Sequence, residues 1–123
     1  MVYKYSADKP LTVERVDSVS YGSTYCILNF DITEIDEGWT FIPVPLFDSI
    51  RTRFKKLDTE SRYGALVDHI MSFLYKFGSD TAIVSNYLLE PDNEKYKYEF
   101  GELQQYRKKV KEFVKYLMDN ELI

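Results

Sequence analysis

A chain of 123 residues, 45% hydrophobic and 29% charged, can bury one hydrophobic core but hardly two, and its composition excludes a disordered chain. The net charge of -4 is spread evenly, 7 basic against 10 acidic side chains over residues 1–60 and 9 against 10 over residues 61–123, so neither half is an electrostatic footprint for nucleic acid. A lone Cys26 excludes an internal disulfide, and the absence of a secretory leader or any run of about 18 apolar residues points to the cytoplasm of the producing cell.

Thr12–Ser20 is a weak strand candidate, with Tyr21-Gly22-Ser23 as the turn after it. Thr24–Asp36 alternates clearly: Cys26, Leu28, Phe30 and Ile32 share one face, and Asn29, Asp31 and Thr33 the other. Glu37-Gly38 supplies a turn in which glycine can take a positive φ, and Trp39–Leu46 reads as the returning strand. Pro43 and Pro45 would lack N–H groups on the same side, which predicts a sheet edge. Phe41, Ile42, Val44, Leu46 and Phe47 crowd this stretch with more apolar surface than a solvent-facing edge strand carries. Two readings follow: the C-terminal helices cover this surface, or it is a protein interface formed by Trp39, Phe41, Ile42, Val44, Leu46 and Phe47.

Residues 51–60, with Arg51, Arg53, Lys55 and Lys56, show no clear period and read as a basic connector with room for a helical turn. From Ser61 the period is helical. Tyr63, Leu66, Val67, Ile70, Met71, Leu74 and Phe77 form an amphipathic stripe that Gly78 ends. A short apolar helix over about Asp80–Leu89, capped by Ser79 or Asp80, is expected at the buried centre of the helical part. A long last helix begins near Pro91 or Asp92. Its stripe comprises Tyr96, Phe100, Leu103, Tyr106, Val110, Phe113, Val114 and Leu117, and Gly101 inside it suggests a close helix crossing.

Catalytic groups are scarce. His69 is the only histidine, and its neighbour Asp68 points about 100° away on a helix, so adjacency provides no orienting pair. Cys26 reads as a buried strand thiol with no nucleophile signature around it. One Cys and one His cannot build a structural zinc shell, and Asp31, Glu34, Asp36 and Glu37 read as a solvated hairpin tip rather than a calcium loop. The isolated glycines assemble neither a dinucleotide fingerprint nor a phosphate loop. No cofactor, metal or catalytic residue is expected. The helix, Gly78-Ser79-Asp80, helix outline resembles a helix-turn-helix, but the second helix lacks Lys and Arg. The stretch Arg107-Lys108-Lys109, Lys111, Lys115 is the better anion-binding candidate, although Glu102 and Glu112 flank it. Heptad repeats at Tyr96, Leu103, Val110 and Leu117 suggest a coiled coil, but Arg107 breaks the second register and favours packing on the preceding helices.

Tyr63-Gly64-Ala65-Leu66-Val67, Ala82-Ile83, Asn86-Tyr87-Leu88, Pro91, Tyr96, Glu99-Phe100, Gln104 and Tyr106-Arg107-Lys108 together resemble a helical module of small tail-associated proteins of phages and prophages of gut bacteria. Glu37-Gly38-Trp39 is similar to the hairpin turn that precedes the module, so the resemblance spans roughly residues 24–115. Neither residues 1–19 nor the basic connector matches it.

The expected fold is therefore α+β, an N-terminal antiparallel sheet of two to four strands followed by a three-helix unit, with residues 1–50, 51–60 and 61–123 forming one compact domain. The resemblance implies a non-enzymatic phage or prophage structural or assembly protein, associated with the virion or its construction, whose partners are other subunits such as tail components or further copies of itself. The alternative is a small regulator that binds nucleic acid through the basic stretch of the last helix. No membrane association is expected.

Overall fold

The alternation of apolar residues upstream of residue 50 resolves, in a computed structural model that describes residues 1–18 and 23–123, into one antiparallel sheet followed by helices, an α+β arrangement. Its strands are β1 (Lys4–Ser6), β2 (Val13–Ser18), β3 (Ser23–Ile35) and β4 (Gly38–Phe47), in spatial order β1-β4-β3-β2. The expected turn at Tyr21 and Gly22 lies outside the described residues. The helices are α1 (Asp48–Lys55), α2 (Thr59–Leu74), α3 (Ser79–Leu89) and α4 (Glu94–Asp119), with a 3₁₀ turn at Lys76–Gly78.

One face of the sheet carries the core. Cys26, Leu28 and Phe30 lie opposite Leu46, Val44 and Ile42 in the β3–β4 register, and all six are buried against Leu66, Val67, Ile70 and Met71 of α2 and Leu103, Val110, Val114 and Leu117 of α4. Each such side chain contributes about 1.5–3 kcal/mol on leaving water, so the sheet and the helical part stabilise each other. The predicted phases of α2, as far as Leu74, and of α4 are thus the observed ones, but α2 ends before Gly78, and Phe77, expected in its stripe, lies in the 3₁₀ turn at φ 60 and is exposed. The ring of Phe113 meets Phe30 edge-on at 5.5 Å, joining α4 to the middle of the sheet.

The alternation does not persist along β3. A bulge between Phe30 and Thr33 shifts the register, Asp31 takes φ 56, and beyond it Ile32 leaves the core face and Ile35 is exposed. Asn29, expected on the solvent side, is only 1% exposed, with its Nδ2 donating to the Leu11 carbonyl at 2.6 Å. The β3–β4 turn is formed by Asp36 and Glu37, and Gly38 does not need a positive φ. Close approach explains the glycine instead: a Cβ there would lie 2.5 Å from the Ser6 carbonyl oxygen.

The helical half also departs from expectation. Residues 51–55 of the predicted connector belong to α1, which places Ile50 and Phe54, four apart, against the core and sets Asp48 and Arg53 with Lys55 at the dipole ends that suit their charges. The three helices expected over residues 61–123 are α2, α3 and α4; α1 precedes them, running into the expected connector, and the linker shrinks to Lys56–Asp58. Asp58 caps α2 by accepting from the Ser61 N–H at 2.7 Å, which holds its carboxyl below the usual range. Asn93 caps α4 in the same way, accepting from the Lys95 and Tyr96 N–H groups. Neither Ser79 nor Asp80 caps α3, whose N-cap is Gly78 at φ 70. Nor is α3 the buried centre. It has no fully buried residue and packs mainly on α4, with Tyr87 stacked on Phe100 at 4.2 Å. Gly101 marks no close crossing, since nothing lies within 4 Å of the position its Cβ would occupy.

Candidate functional site

The predicted interface on β4 splits by strand parity. Ile42 is 2% exposed and Val44 and Leu46 are fully buried, because positions 42, 44 and 46 share the helix-covered face with Phe30, Leu28 and Cys26. These three are core residues and not contact residues. On the other face, Pro43, Pro45 and Phe47 lie opposite Asn29, Ile27 and Tyr25, and the Phe47 ring packs 5.6 Å from Tyr25. Phe47 is 46% exposed, while Trp39 and Phe41 are half-buried, and none of these three packs on the core.

β4 is an edge over only part of its length. β1 pairs with Trp39, Thr40 and Phe41, and stops before the prolines. Pro43 and Pro45 therefore fall where a missing N–H forfeits no ladder bond. In place of a strand, His69 Nε2 meets the Pro45 carbonyl at 2.8 Å. A carbonyl can only accept, so Nε2 carries the hydrogen. The only histidine thus closes the backbone account of a proline-blunted edge, with its ring edge-on to Phe54. An apolar cleft of about 490 Å³ opens beside this edge, lined by Met1, Val2, Pro43, Pro45, Phe73 and Leu74.

Two polar clusters tie the halves together. At one, the Tyr3 hydroxyl donates to Asp31 at 2.6 Å and lies 2.8 Å from the Tyr106 hydroxyl, while Lys109 Nζ stands 3.4 Å from Asp31. Burial first, and the Asp31 carboxylate second, push the Tyr3 phenol well above its ordinary value. The αL turn at Asp31 aims its carboxylate at α4, so the bulge that breaks the strand pattern also builds this clamp. At the other cluster, Asp48 accepts from Thr24 and from Arg15 at 2.8 Å, and these bonds hold its carboxyl below the usual range. Both arrangements fix elements in place. Neither presents a nucleophile to a base, and burial pushes the Cys26 thiol up, away from the thiolate that chemistry needs.

In the basic stretch of α4, Lys109, 52% exposed, pairs with Asp31 at 3.4 Å, and Lys108, Lys111 and Lys115 are exposed as well. The larger surprise is apolar. Leu88 is 71% and Leu89 81% exposed, and Tyr98 and Phe77 are exposed too. For Leu88 and Leu89 the pattern misleads because the six apolar residues of α3 suggest burial on all sides, whereas Phe77, expected in the α2 stripe, lies in the turn after that helix. The available signal in α3 was that no polar face balanced its apolar residues, which leaves part of the helix uncovered whenever only one neighbour packs on it.

Comparison with known protein families, curated proteins and solved structures finds no match to this chain. No helix among the described residues is long and apolar enough to cross a membrane. Among the same residues no group of three or more His, Cys, Asp or Glu side chains is placed to hold a metal ion.

Proposed function

We propose that this chain is a non-enzymatic protein-contact subunit of the structural or assembly kind associated with phage and prophage tails. The observation that supports the contact role is the large apolar surface left uncovered around the α3–α4 connection, at Leu88, Leu89 and Tyr98, with Phe47 as a second point on the sheet. Covering such side chains with a partner removes apolar area from water at roughly 25 cal/mol per Å². The tail association rests on the residue pattern alone, from Tyr63 to Lys108 with Glu37-Gly38-Trp39 before it.

The test is affinity capture after crosslinking in the producing cell, comparing the natural chain with Leu89→Glu and Phe47→Glu, both at exposed positions. Capture of virion or assembly components, lost in Leu89→Glu while circular dichroism is unchanged, is the expected result. Equal capture by all three chains, or a partner set made of metabolic enzymes, overturns the reading.

A further inference from the structure

We propose that two copies of this chain associate through the free edge of β2, joining their sheets about a two-fold axis at Val16. This goes beyond the contact role above, since it rests on the free edge of β2 and not on α3.

β2 ends the sheet, with β3 on one side and no strand on the other among the described residues. Proteins usually blunt such an edge, and this chain does so on the other side with Pro43 and Pro45. The sequence Val13-Glu14-Arg15-Val16-Asp17-Ser18 contains no proline. The direction of its free groups follows from the register. The Asn29 N–H donates to the Thr12 carbonyl at 2.9 Å, and the β2–β3 ladder continues that register through Val13 opposite Leu28. Even-numbered residues of β2 therefore bond to β3, and Val13, Arg15 and Asp17 turn their N–H and C=O groups outward.

An antiparallel second copy must pair outward positions with outward positions. Centring the axis on Arg15 opposes two arginines, and centring it on Asp17 opposes two aspartates. Centring it on Val16 opposes Arg15 to Asp17 of the second copy, and Asp17 to Arg15, as hydrogen-bonded pairs. Four backbone hydrogen bonds and two opposite-charge cross-strand pairs result. The charge order thus selects one register and one occupant, a second copy. Both side chains reach solvent, with 54% of Arg15 and 73% of Asp17 exposed; Arg15 gives one nitrogen to Asp48 at 2.8 Å, and its Nε stands 4.0 Å from its own Asp17. On the opposite face Val16 meets its symmetry mate, extending the apolar row of Val16, Tyr25 and Phe47 across the axis.

The experiment is the solution mass of the full chain by light scattering, with Asp17→Arg and Arg15→Asp alone and mixed. The natural chain is expected to reach twice its 14.6 kDa mass. Each single variant sets like charges opposite each other and should weaken the dimer about tenfold. Their mixture restores both opposite-charge pairs and should give a heterodimer. Because Arg15 also bonds Asp48, circular dichroism checks that variant's fold, and Asp17→Pro is an independent probe: its N–H points away from β3, so the substitution blocks strand addition and spares the ladder. A monomeric natural chain overturns the proposal. So does an undiminished dimer in Asp17→Arg or Asp17→Pro.

Discussion

Tyr3 shows how one side chain can connect three parts of the molecule, since its hydroxyl joins β1's approach to the bulge at Asp31 and to Tyr106 on α4. Its phenol is raised above the ordinary value of 10.0, and burial pushes Tyr75 up to about 12. In the unfolded chain both ionise near pH 10, whereas the folded chain keeps their protons. The stability they contribute is therefore complete below pH 10 and is lost as pH rises through the folded values. The urea midpoint should fall as pH rises from about 10 towards 12, and fall less in Tyr3→Phe; an equal fall in both would show that Tyr3 is solvated. Gly38 is a second residue whose role is set by a neighbour. Gly38→Ala forces a methyl against the Ser6 carbonyl and should cost about 1–3 kcal/mol, read as a lowered urea midpoint.

Among the elements, α4 and α3 illustrate opposite relations between pattern and packing. The stripe of α4 is buried at Leu103, Val110, Val114 and Leu117, and its other side is free. Gly101 sits on that free side with open space around it, so Gly101→Ala should stabilise the fold by about 0.5–1 kcal/mol and raise the melting temperature. A decrease would mean that the glycine serves a contact with another chain. The apolar run of α3 instead exceeds what α4 can cover. Leu89→Glu should therefore leave melting within about 0.5 kcal/mol of the natural chain, as expected at a surface position.

At the scale of the whole molecule, the sheet and helices share one core, and a charge placed in it should be felt everywhere. Leu103→Asp or Val110→Asp buries a carboxylate at a fully covered position, costing several kcal/mol against a total of about 5–15, and should abolish the helical circular dichroism signal together with the sheet's. Unchanged melting would contradict the α4 packing. The net charge of -4, with Lys109 held by Asp31, also predicts that duplex DNA binds no tighter than about 10–100 μM at physiological salt in a gel-shift titration. Submicromolar binding lost on changing Lys108, Lys111 and Lys115 to Ala would favour the regulator.

Periodicity by itself determined the α+β order, three of the four strands and the buried faces of α2 and α4, because burial on one side imposes a period of 2 or 3.6 on any half-covered element. The prolines also marked the unpaired half of β4, since a missing N–H has a fixed direction, but not that β1 pairs with the other half and makes β4 an inner strand. What only the tertiary structure decided is whatever depends on a distant neighbour. β1 has three residues and no pattern, and exists because β4 offers it a ladder. The core position of Ile42 and the exposure of Phe47 follow from which face the helices cover, a choice the alternation of β4 leaves open. The bulge at Asp31 is anchored by Tyr3 and Lys109, residues 28 and 78 positions away in the chain. Local sequence records how much apolar surface an element has, and only the assembled fold determines how much of it a neighbour is there to cover.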